Sequence, residues 1–163
     1  MQDIADAFNA NTQKLIAWTD SLRPEQFATR PQPDKWSVLE VLEHLFVSEK
    51  GSARLSALDC EPAERDLART KAMMERGLAD LDQKFAGGSN IDPKARFADY
   101  PEWRAAFLAN RETLLRQANE KGYDGLCTSF AHPYFGHLTR AEWLIFSGLH
   151  ADRHLDQMRR YVQ

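Results

Sequence analysis

Thr139-Arg-Ala-Glu142-Trp143-Leu-Ile-Phe146-Ser-Gly-Leu-His150-Ala-Asp-Arg-His154-Leu-Asp-Gln157 is the stretch whose reading decides the fold. Thr139 with Glu142 three residues on forms a capping box, in which each side chain satisfies a backbone N–H at a helix start. Trp143, Phe146, His150, His154 and Gln157 recur at helical spacing, so they share one face, and the helix reads on through Tyr161. His150 and His154 stand one turn apart, about 6 Å along the axis at roughly 1.5 Å rise per residue. Two imidazoles so placed can converge on a single metal ion. The face they occupy carries the aromatic residues and therefore points inward.

A second helix start lies upstream. Ser37 and Glu40 repeat the capping-box pattern, and Val38, Val41, Leu42, Leu45 and Phe46 supply an apolar face that runs to about Leu58. His44 sits on that helix near the apolar seam. Two histidines on one helix and one on another offer a three-nitrogen metal site.

The remaining elements follow the same logic. Ile4, Phe8, Asn11, Leu15, Trp18 and Leu22 form the buried stripe of a first helix, closed by Pro24 and followed by an extended Pro31-Gln-Pro33 connector. A weaker helix is expected between Pro62 and Phe85 on the spacing of Leu67, Met74, Leu78 and Leu81. Ala86–Pro93 reads as a break. Asp99, Pro101 and Glu102 mark another helix start, with Trp103, Phe107, Asn110, Leu114 and Ala118 as its stripe. Gly122–Leu138 reads as a loop, and strand signals are nearly absent. The expected fold is all-α: an up-and-down four-helix bundle with an additional shorter helix and long connecting loops, in one domain spanning 1–163.

Composition narrows the function classes. A net charge of −3 leaves no basic footprint for nucleic acid, and no apolar run is long enough for a membrane span. The N-terminus lacks a secretory signal, so a cytoplasmic location is expected. Cys60 and Cys127 lie far apart without CxxC pairing and are expected to be reduced thiols. His132 and His137 are expected to be loop histidines, with a fourth-ligand role for His132 as the lesser alternative. Arg153 is expected to be solvated. Glu40 is assigned to its capping box, and Gln157 to an interior amide or a partner for a ligand histidine.

Two motifs together resemble a known family. Trp36-Ser37-Val38-Leu39-Glu40-Val41-Leu42-Glu43-His44-Leu45 is similar to the W-S-x-x-E-x-x-x-H-L signature of the DinB/YfiT-like family. His132-Pro-Tyr-Phe-Gly136, Leu138-Thr139, Glu142-Trp143, His150, His154 and Gln157 resemble that family's closing motif, in the same order along most of the chain. The resemblance implies a four-helix bundle carrying a divalent metal on His44, His150 and His154. Three imidazoles without thiolate suit zinc, nickel or ferrous iron, and three protein ligands leave a coordination position open.

Members of the superfamily include metal-dependent transferases and isomerases that use low-molecular-weight thiols such as bacillithiol, mycothiol or glutathione. The resemblance therefore implies a thiol S-transferase of the detoxification type. Its partners would be a small-molecule substrate or thiol, with no nucleic acid and no membrane; a homodimer is left open. A metal-dependent hydrolase and a non-catalytic metal- or small-ligand-binding bundle are the rival readings.

Overall fold

The computed structural model describes residues 1–83 and 89–162. Four long helices carry the architecture: α1 (Gln2–Asp20), α2 (Val38–Ser56), α4 (Tyr100–Lys121) and α5 (Arg140–Arg159). A shorter helix, α3 (Leu67–Leu78), packs on α5. Three strands, β1 (Glu61–Pro62), β2 (Gly125–His132) and β3 (Gly136–Thr139), form an antiparallel sheet in the order β1-β2-β3. This is the four-helix bundle with a shorter fifth helix that the periodicity predicts. Among the described residues no helix is long and apolar enough to cross a membrane.

The caps form where the sequence puts them. Ser37 and Thr139 both complete reciprocal capping boxes with Glu40 and Glu142, and Asp99 caps α4 through Glu102 N–H. The stripes then become the core. Leu15, Leu42, Leu45, Trp103, Phe107, Leu155 and Met158 fill one end of the bundle; Phe8, Leu114, Ala118 and Leu144 fill the other. The buried Trp103 indole donates to Leu42 O at 2.6 Å, fixing α4 against α2.

Cross-helix bonds set the direction of each helix. Asn11 bonds Gly148 and Lys14 pairs with Asp152, so α1 and α5 run alongside in the same sense. Trp103 meets Leu42 near the helix starts and Lys121 meets Ala57 at their ends, so α2 and α4 share the opposite sense. In chain order the helices run up, down, down, up, so the four-helix bundle expected from the sequence is present but its helices do not alternate up and down. The long α2–α4 connection, which contains α3, carries the chain back to the end where α2 began.

A buried ion pair crosses the centre. Arg111 on α4 grips Glu49 on α2 at 2.7 and 3.0 Å, and its guanidinium also reaches Asn11 and Thr12 on α1. Both charged side chains are almost fully buried (2% and 1% exposed), so each is compensated chiefly by the other, with the Asn11 amide, the Thr12 hydroxyl and the Phe8 and Phe107 rings adding to the partners of Arg111.

Further sequence expectations need correction. The segment Gly122–Leu138 is not loop but mostly a β-hairpin, and Cys60 leads directly into its third strand. Glycines and Pro133 mask the signal, and only Gly125 and Cys127 of β2 are buried, so the alternation is short. A register shift between Cys127 and His132 interrupts it further. The hairpin turns at Pro133–Phe135 and closes on Gly136, whose φ of +72° a side chain rarely adopts. The second correction concerns Arg153, which is buried rather than solvated. It donates to the carbonyls of Leu78, Asp80 and Gln83, taking up backbone acceptors where α3 ends. The helix expected between Pro62 and Phe85 is shorter: α3 begins at Leu67, capped by Asp66, and ends at Leu78, with residues 79–83 in turn and irregular chain, while residues 84–88, the glycine pair at 87–88 among them, lie outside the described residues.

Candidate metal centre

His44 projects from the second turn of α2, and His150 and His154 from successive turns of the facing α5. Because the two helices are antiparallel neighbours, the three rings meet between them. The Nε2 atoms of His44 and His150 are 3.3 Å apart, and those of His150 and His154 are 3.0 Å apart. One ligand atom from each ring falls within 4.8 Å of the others, and among the described residues these three form the one such cluster of His, Cys, Asp or Glu. The structure thus brings together all three histidines singled out in the sequence.

Each ring is held from behind. Nδ1 of His44 lies 3.1 Å from Ile91 O and donates to it, which leaves the Nε2 lone pair turned inward. Trp36 lies against His44 at 5.1 Å between ring centroids. Phe146 stacks on His150 at 5.2 Å with the planes 14° apart. Gln157 is half-buried beside His154, which it partners through its side chain, while its amide N–H donates to Leu81 O at 2.6 Å, so both roles that the sequence suggested stay open. Glu40 stays in its capping box and pairs with Arg30.

Glu43, which sequence reasoning passed over, does more for the site than Glu40. Its buried carboxylate accepts from the backbone N–H of Lys94 and Arg96 and pairs with the Arg96 guanidinium. These bonds fold the chain after Ile91 against α2 and hold Ile91 O over His44. Its place in the motif, adjacent to the histidine, is the signal that points to it: a glutamate on a helix, one position from a ligand, turned toward the connector.

Burial controls the protonation of the cluster. It holds His44 below the usual imidazole range, although the bond to Ile91 O opposes this. His150 is held far lower by burial together with His154 and His44. His154 is lowered to about 3, chiefly by burial, with His44 and Arg153 adding to the effect. All three are therefore neutral near pH 7, the form that coordinates metals.

The donor set fits a divalent cation. Three neutral rings with Nε2 atoms 3.0–3.3 Å apart can share at most a proton between any two, leaving lone pairs facing one another. A cation at the centre satisfies them all. Among the described residues, Nδ1 of His150 and Nδ1 of His154 are buried without a hydrogen bond of good geometry. His44 thus has an outer acceptor in Ile91 O, and Gln157 stands in that place beside His154.

The histidines form the floor of a cavity of about 1070 Å³. Phe130, Phe135, Trp143 and Phe146 wall it on the hairpin side, and Phe46, Lys50 and Arg54 on the α2 side. His132 lines it as well, at the end of β2, packed 4.6 Å from Phe146 and 4.8 Å from Phe135 between centroids. Burial lowers it to about 4. It stands apart from the three-nitrogen cluster, and His137 is exposed, bonded to Phe130 O.

This geometry agrees with what the chain is related to. The DinB superfamily family model matches residues 7–158, and the chain belongs to that superfamily. It is 26% identical over 154 residues to the Bacillus subtilis (strain 168) protein described as uncharacterized protein YuaE, covering 91% of this chain and 92% of that one. Among solved structures it is similar to TT2238, a four-helix bundle protein, with a TM-score of 0.64, 18% identity and 98% of each chain covered. The latter likeness concerns the fold.

Proposed function

We propose that this protein is a metal-dependent enzyme of the thiol S-transferase type, in which His44, His150 and His154 hold one divalent cation through Nε2. The observation that carries the reading is the convergence of three neutral imidazoles, His44 buried and His150 and His154 half-buried, on the lining of an aromatic cavity. Three protein ligands leave a coordination position directed into that cavity, the arrangement of catalytic rather than structural sites. Zinc, nickel or ferrous iron suits an all-imidazole set. Bound there, the cation supplies Lewis acidity that keeps a thiol or a water ionised near neutral pH.

The chain's own residues do the rest. Phe130, Phe135, Trp143 and Phe146 exclude water and provide the surface on which an apolar electrophile is held. Lys50 and Arg54, one turn apart on α2, place two cations on the cavity wall, suited to a carboxylate of a small thiol. Among the described lining residues Asp92 is the one carboxylate, and it is exposed. Glu43 is fully engaged by Arg96 and two backbone donors. A nucleophile ionised on the cation, thiolate or hydroxide alike, needs no general base, so the lack of a free carboxylate is compatible with the proposed chemistry.

The test is spectroscopic. With cobalt in the site, a low-molecular-weight thiol should produce a thiolate-to-cobalt charge-transfer band, and thiol conjugation to a generic aromatic electrophile should depend on metal. A cobalt spectrum unmoved by a panel of thiols, with no turnover of any electrophile, would leave a non-catalytic metal-binding bundle as the better description.

A further inference from the structure

The two cysteines, remote in sequence, lie side by side at the base of the hairpin. Cys60 Sγ is 3.3 Å from Cys127 Sγ, and both are free thiols, with Cys127 buried and Cys60 partly exposed. We propose that Cys60 and Cys127 form a peroxide-sensitive dithiol that closes to an intrachain disulfide, latching the end of α2 to the hairpin that walls the cavity.

The backbone is already arranged for the bond. Glu61 pairs with Leu126 and Pro62 with Gly125, so Cys60 and Cys127 come next to each other in the same antiparallel register. Ala63 N–H donates to Asp124 O and extends that pairing. The Arg140 guanidinium locks both sides: it donates to Ser56 O and Leu58 O before Cys60, and to Lys121 O and Gly122 O before Cys127. Gly125 admits this clamp, since a Cβ there would run into Arg140 Nη1 and come within 3.2 Å of Cys60 Cβ. A disulfide has its sulfurs about 2.05 Å apart, so closure asks for side-chain movement of little more than about 1 Å.

The two thiols are unequal, and this fixes the order of steps. Cys60 is the more accessible. Cys127 is pushed up to about 12, first by burial and then by its contact with Cys60, so it stays protonated. The Cys60 sulfur attacks one oxygen of hydrogen peroxide: an S–O bond forms, the O–O bond breaks, and the leaving hydroxide takes a proton to give water. The Cys127 sulfur then displaces the hydroxyl of the Cys60 sulfenic acid: the S–S bond forms, the S–O bond breaks, and a second water leaves with the Cys127 proton. Two thiols lose two electrons, and one peroxide becomes two waters.

The consequence falls on the cavity wall. Cys127, Cys60, Phe135, Trp143 and Phe146 belong to one apolar cluster, and β2 runs on from Cys127 to Phe130 and His132. The bond would bridge residues 67 apart in sequence and hold the hairpin against the end of α2.

The full-length protein, treated with hydrogen peroxide and then freed of it, is assayed for titratable thiols, intact mass and thermal midpoint. The expected result is loss of both thiols in a monomer lighter by two hydrogens, a non-reduced peptide joining Cys60 to Cys127, and a higher midpoint that dithiothreitol reverses. In Cys127→Ser, Cys60 should instead accumulate a sulfenic acid that dimedone traps. Thiols that remain titratable, Cys60 driven to sulfinic acid in the wild type, or disulfides only between chains would each overturn the proposal. Metal content is measured on the same samples, so failure of the latch and failure of the metal centre are read separately.

Discussion

Glu43 shows how a single side chain tunes the centre without touching it. It holds the Lys94 and Arg96 amides and the Arg96 guanidinium, and so keeps Ile91 O in position to orient His44. Residues that orient a ligand histidine typically matter by about 10–100-fold in metal affinity. Glu43→Ala should therefore weaken metal binding by roughly that factor in a competitive chelator titration. It should leave the helix content unchanged. An unchanged affinity would mean that Ile91 O contributes nothing to the placement of His44.

The elements are fixed partly by stripes and partly by the polar pair that crosses them. Arg111 and Glu49 are each other's principal compensation in the core, and burial raises the Glu49 carboxyl while Arg111 opposes that. Arg111→Met should cost about 3–5 kcal/mol in denaturant unfolding, because it strands a buried carboxylate. The double variant Glu49→Leu with Arg111→Met should regain much of that loss. A single variant as stable as wild type would contradict the compensation. Sequence reading reached the four long helices because all have a repeating apolar stripe and three of them, α2, α4 and α5, also have a side-chain cap, both local signals. It reached His44, His150 and His154 because helical spacing and a motif place them inward. It missed the hairpin, whose strands are short and punctuated by glycine, and it missed the burial of Arg153, whose partners are carbonyls at the end of α3. It gave no sign that Cys60 and Cys127, distant along the chain, are neighbours, since the pairing of β1 with β2 brings them together. Contacts made by the tertiary fold alone leave no periodic trace.

At the scale of the whole molecule, the buried histidines make stability depend on pH. In the unfolded chain an imidazole titrates near pH 6.5. In the folded protein His132 is lowered to about 4 and His154 to about 3, while His44 and His150 are also lowered. Above about pH 6.5 both states are neutral and stability is fully present. As pH falls below that, the unfolded chain takes up protons that the folded one refuses, and stability is lost toward the folded-state values. The metal-free protein should therefore show a thermal midpoint that is flat above about pH 6.5 and declines steadily toward about pH 5, before carboxylates titrate. Replacing His132 with Phe should shallow that decline. A midpoint independent of pH over the same range would show that these rings are solvated.

The most direct test of the central claim is elemental analysis of freshly purified protein beside His44→Ala, His150→Ala and His154→Ala. The account predicts about one divalent metal per wild-type chain, as for other three-ligand sites. It predicts a loss of that metal in each variant, with the helical circular-dichroism signal retained. Wild-type protein that takes up no divalent metal, or variants that retain the wild-type complement, would contradict it.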